Sequence, residues 1–88
     1  MKIYKYKLDI IDQQEIVVHT MAQVLCVQVV NGEPVLYVMV NESQQYTKKL
    51  KIAIYGIGSV LPDEGGQYVS TFQLFGGDLV YHVFILGD

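Results

Sequence analysis

Arginine and tryptophan are both missing from this chain, cysteine occurs once and proline twice. Without arginine there is no bidentate fork for phosphate or carboxylate, so any nucleotide would have to be held by lysine, backbone N–H groups and aromatic rings. A net charge of −3 points the same way, because nucleic-acid affinity rests largely on basic neutralisation of phosphates. The nine acids are scattered rather than gathered in runs, which argues against an acidic mimic of DNA. With Cys26 alone, neither an intrachain disulfide nor a cysteine-based zinc site can form within one chain. Set within Val24-Leu25-Cys26-Val27, that thiol reads as a small core hydrophobe.

Long apolar runs are missing as well. The longest apolar stretch, near Leu79 to Leu86, falls far short of the roughly 20 residues a membrane helix needs. The opening Met1-Lys2-Ile3-Tyr4-Lys5-Tyr6-Lys7 does not resemble a signal peptide, since lysine recurs where an uninterrupted apolar region is required. The expectation is a cytoplasmic protein without a membrane partner. Hydrophobic residues nevertheless make up 51% of the 88 residues, which is ample to offset ordering entropy and form one small domain spanning 1–88.

What the chain does have is a period of two. Tyr4, Tyr6, Leu8 and Ile10 alternate with Lys5, Lys7 and Asp9, and Asp12-Gln13-Gln14 supplies a turn into a short strand over Glu15 to His19. Two β-branched runs, Gln23 to Val30 and Pro34 to Val40, flank Asn31-Gly32, the dipeptide that best accepts the positive φ of a type I′ hairpin. Both runs are apolar on both faces, as central strands are. Asn41 to Gln45 reads as a polar loop, and alternation returns from Tyr46 to Tyr55. Gly56 to Gln67 has no period and is a candidate functional surface.

The last segment, Tyr68 to Asp88, reads as a hairpin closed by Gly76-Gly77. That register opposes Leu74 to Leu79, Phe72 to Tyr81, Ser70 to Val83 and Tyr68 to Ile85 on a core face. It places Val69, Thr71, Val80, His82 and Phe84 on a second face, too apolar to be left in water. About seven short strands predict a compact all-β fold, an antiparallel β-sandwich or small barrel.

Chemistry-bearing motifs are weak. Gly56-Ile57-Gly58 lacks the third glycine and the βαβ setting of a dinucleotide-binding turn. His19 and His82 have no motif neighbour; His82 reads as a hydrogen-bonded structural histidine whose charge would couple assembly to pH if it lies at an interface. Asp63 and Glu64 are adjacent carboxylates on the long loop, where solvation is the commoner fate. Seven tyrosines carry the most functional reach, because tyrosine joins an apolar body to a polar tip and is enriched at interfaces. Tyr46, Tyr55 and Tyr68, beside loops, join Asp63 and Glu64 as loop-binding candidates.

Met1 to Tyr6, the Asn31-Gly32 hairpin, Ile54-Tyr55-Gly56-Ile57-Gly58, Tyr68-Val69-Ser70-Thr71-Phe72-Gln73 and Gly76-Gly77-Asp78-Leu79-Val80-Tyr81-His82-Val83-Phe84 together resemble a family of small uncharacterised phage and prophage proteins. The resemblance spans nearly the whole chain and carries over no catalytic residue. It implies a phage accessory protein in the bacterial host cytoplasm, with an anti-defence role as its narrower form and a minor virion component as the alternative. The expectation is a non-enzymatic binding protein without cofactor or metal, assembled as a homo-oligomer through Val69, Thr71, Val80, His82 and Phe84. A host protein is the other partner class, and a nucleotide signal is disfavoured by the missing arginine.

Overall fold

The computed structural model describes residues 1–61 and 66–87. Its strands are β1 (Lys2–Lys7), β2 (Gln13–His19), β3 (Gln23–Val30), β4 (Glu33–Val40), β5 (Thr47–Gly56), β6 (Gln67–Leu74) and β7 (Leu79–Ile85). They form two antiparallel sheets, one in the order β1-β4-β3 and the other β2-β5-β7-β6. The result is an open sandwich rather than a closed barrel, with Cα extents of 41 × 32 × 15 Å, the short axis being two stacked layers.

Alternation decides what lies between the layers. Leu36, Val38 and Val40 of β4 face Ile52 and Ile54 of β5 and Val83 of β7 across the core, each at most 4% exposed. Tyr4 and Tyr6 pack half-buried at its edge, and Leu8 seals the corner through an N–H donated to the Pro34 carbonyl at 3.0 Å. Pro34 thus sits beside the turn, where its lack of a donor costs no ladder bond.

Both glycine hairpins form as the turn chemistry requires. Asn31 and Gly32 take φ of 51° and 79°. Gly76 and Gly77 take 67° and 101°, with the Asp78 N–H donated to Phe75 at 3.2 Å. Positive φ at both central positions of the first turn is the type I′ pattern that matches strand twist, whereas in the second Phe75 joins the glycines in the left-handed region at φ 53° and Phe75 to Gly77 form a short 3-10 turn between the paired Leu74 and Leu79.

Four expectations are corrected. β3 is an edge strand, not a central one, and its Leu25, Val29 and Val30 remain exposed. Gln13 and Gln14 belong to β2 rather than to a turn. The Gln14 side chain instead closes the preceding loop, accepting from the Asp9 N–H at 3.1 Å and donating to the Asp9 carbonyl at 2.7 Å. Cys26 is half-buried opposite Tyr37, which alternates away from the core, so it lies on the outer face of the three-stranded sheet. Beyond Ser70, the register of the last hairpin shifts: a bulge at Val69 pairs Tyr68 with Phe84 and Gln67 with Ile85.

The order β5-β7-β6 has one further consequence. β5 and β6 both run antiparallel to β7, so they run parallel to each other and their link must cross β7. Of that link, the described residues Ile57, Gly58, Ser59 and Leu61 lie on the outer face as a strap beside His82 and Phe84. That strap, together with Tyr55 and Tyr68, is the second cover of β7.

Candidate functional site

The outer face of the four-stranded sheet gathers most of the residues singled out in the sequence. Tyr55 and Phe84 are cross-strand neighbours of His82 and Ala53 on paired strands, and Tyr68 pairs directly with Phe84. The Phe84 ring takes both tyrosines edge to face, with centroids 5.7 Å from Tyr55 and 5.6 Å from Tyr68. Such geometry sets the positive edge of one ring against the negative face of another.

A polar chain runs alongside. The Tyr68 hydroxyl lies 2.7 Å from Thr71 Oγ1, which lies 2.9 Å from His82 Nδ1. With a neutral imidazole accepting at Nδ1, Thr71 donates to the ring and Tyr68 donates to Thr71, which leaves the Nε2–H free. Protonating the ring turns Nδ1 into a donor and reverses the chain. Next to it, a recess of about 250 Å³ is lined by Tyr55, His82 and Phe84 from the sheet and by Gly56 to Ser59 and Leu61 from the strap. The Tyr55 hydroxyl is buried with no hydrogen-bond partner among the described residues.

The bulge decides who belongs here. Looping out one residue turns Val69 toward the core, where it packs half-buried, and brings Tyr68 to the outer face in its place. Val69 is therefore not part of this face, and Tyr68, expected on the core side, is. Thr71, His82 and Phe84 stand as expected, with Val80 in the same alternation nearer the hairpin. Tyr46 is remote and 76% exposed, its carbonyl accepting from the Thr20 N–H and hydroxyl at 2.9 and 2.7 Å. Asp63 and Glu64 lie outside the described residues.

Sequence reasoning missed the strap. Its signal was Ile57, Val60 and Leu61, three apolar residues in a loop long enough to span a strand. In the structure they are 73%, 94% and 44% exposed. Among the described residues, the site is thus a centre of three rings, a histidine and apolar strap residues, with Glu15, Lys51 and Gln73 toward its margins. Among the described residues no group of three or more His, Cys, Asp or Glu converges, and no helix is long and apolar enough to cross a membrane.

A family model described as a domain of unknown function (DUF7352) matches residues 1–87. No curated protein and no solved structure matches the chain.

Proposed function

Since the chain belongs to that family of unknown function, whose description assigns no chemistry, we propose from the geometry that it is a non-enzymatic binding protein that assembles with copies of itself through the outer face of the four-stranded sheet. One observation carries this reading: an aromatic, uncharged centre built from Tyr55, Tyr68 and Phe84, continued by the exposed strap residues Ile57 and Val60 and bordered by polar side chains. Apolar and aromatic at the centre, polar at the rim, is the anatomy of protein interfaces. His82 spends its Nδ1 on Thr71, the arrangement of a positioned structural histidine. The resemblance to phage proteins supports a bacterial host cytoplasm as the setting, with a host defence component as the second partner class.

Light scattering on a sizing column tests the assembly. The wild type is expected to elute as a dimer or larger at high micromolar concentration. Val60→Asp and Tyr68→Ser, both at exposed positions, are expected to return it to monomer. A strictly monomeric wild type would overturn the reading, as would an oligomer indifferent to both substitutions.

A further inference from the structure

Each sheet of the sandwich ends in two edge strands, and three of the four edges are guarded. β1 carries Lys2, Lys5 and Lys7. β3 and β6 are bulged, at Leu25 and Val69, and the Ser70 hydroxyl of β6 donates to the Val27 carbonyl of β3 at 3.2 Å, which closes that corner. Lysines, bulges and covering contacts keep stray strands off the edges of natural sheets. β2 has neither lysine nor bulge: Gln13 to His19 also lacks proline and glycine, and its register against β5 is unbroken. β5 lies between it and the β7 face that the strap residues cover.

Two flanking bonds fix which way the β2 backbone faces. The Thr20 N–H donates to the Tyr46 carbonyl at 2.9 Å and the Ile54 N–H to the Asp12 carbonyl at 3.1 Å, so the even-numbered residues of β2 bond to β5. Antiparallel ladders alternate, and Gln13, Glu15, Val17 and His19 therefore aim their N–H and C=O groups away from the sheet. Of these, the His19 carbonyl also accepts from the Ala22 N–H at 3.2 Å. The side chains of the same residues lie on the outer face, with Val17 58% exposed, and Ile16 on the inner side is half-buried.

We infer that β2 docks edge to edge on the β2 strand of a second copy, antiparallel about a two-fold axis through Val17, so that two four-stranded sheets become one. Such an axis pairs only residues of like phase, since outer side chains must stay outer. Centred on Glu15, it would set two carboxylates against each other; centred on Ile16, it would set Glu15 against Val17. Centred on Val17, it sets Val17 against Val17, Glu15 against His19 of the other copy on either side, and Ile16 against Val18 underneath. Hydrocarbon then meets hydrocarbon on both faces, and the carboxylate meets an imidazole N–H. The His19 ring is held at that end by Tyr4, edge to face with centroids 5.7 Å apart. A strand from another protein would have to repeat this spacing, which β2 already carries. One edge pairing is small beside stable interfaces, which bury roughly 1,200 Å² or more. It therefore rests on the outer-face assembly, which brings edges together in pairs and makes a weak contact last.

Cysteine cross-linking in a Cys26→Ser background tests the contact and its register. Directly opposed residues that share ladder bonds have Cα atoms about 5.5 Å apart, within the reach of a disulfide. On mild oxidation, Val17→Cys is expected to form a covalent dimer at least about ten-fold faster than Tyr46→Cys, an exposed position away from the edge, because docking replaces chance collision by a high effective concentration. Glu15→Cys is expected to cross-link to His19→Cys and not to itself. With Cys26 in place, Val17→Lys is expected to reduce the largest species in light scattering to the outer-face dimer. Cross-linking of Val17→Cys no faster than Tyr46→Cys, Glu15→Cys pairing with itself, or a mass unchanged by Val17→Lys would each overturn the assignment. Dissociation in Tyr68→Ser without a preferred cross-link at Val17 would overturn the edge contact alone. A preferred cross-link in a chain whose mass ignores both Val60→Asp and Tyr68→Ser would overturn the outer-face reading alone.

Discussion

A methyl group on Gly66 would overlap the backbone carbonyl of Ile85, at a residue whose φ is 83°. Gly66 is where the strap lands beside β7, and two penalties meet there: left-handed backbone and a clash with main chain that cannot rotate away. Gly66→Ala is therefore expected to destabilise the fold by about 2 to 4 kcal/mol, read by urea denaturation, whereas Gly32→Ala, with open space around it, should cost less. Asn31-Gly32 and Gly76-Gly77 were legible in the sequence because the demand for positive φ is local. The exchange of Val69 for Tyr68 was not, since which residue loops out depends on what each must pack against across the sandwich.

Among the elements, β1 is the most densely charged, with lysine at three of its six positions, and each of its ends is pinned electrostatically. Lys7 meets Glu33 at 2.9 Å at one end, and at the other Lys2 meets Glu42 at 3.1 Å while the Tyr4 hydroxyl donates to the same carboxylate. The loop that presents Glu42 is held by Asn41, whose side-chain oxygen accepts from the Ser43 N–H and hydroxyl at 3.1 and 2.7 Å. The Tyr4 hydrogen bond, then the Lys2 contact, holds the Glu42 carboxyl below the usual carboxylate range. A depressed folded-state value means that the stabilisation is fully present above the ordinary carboxylate pKa and is lost as pH falls through the lowered one. Glu42→Gln should thus lower the melting temperature slightly near neutrality and converge with wild type in acid, where both lack the charge. A gap between the two that persists or widens on acidification would rule this out. The pairing of β1 with β4 and the edge position of β3 were hidden for one reason: β-branched runs read alike whether flanked by one strand or two.

For the whole molecule, the sandwich divides into three strands paired on both flanks, β4, β5 and β7, and four at edges. Amide exchange is expected to be slowest in Leu36 to Val40, Ile52 to Ile54 and Val83, where ladder bonds lie inside a buried layer, and faster in β1, β2, β3 and β6. Equal protection of β3 and β4 would contradict this layering. The all-β class and the strand count followed from the period of two and the turn residues. The division into three and four strands did not, because it depends on which distant edges meet, and only the assembled core decides that.

The strap that carries the chain across β7 also fixes an order of events. As the chain is synthesised, β5 and β6 leave the ribosome as consecutive strands that share no ladder, each with an open edge awaiting the strand that follows. Only when β7 emerges can it slot between them and close both ladders at once. Until then the two edges that β7 will close, one on β5 and one on β6, stay unpaired, and it is in that interval that the chain is most exposed to mispairing with its neighbours.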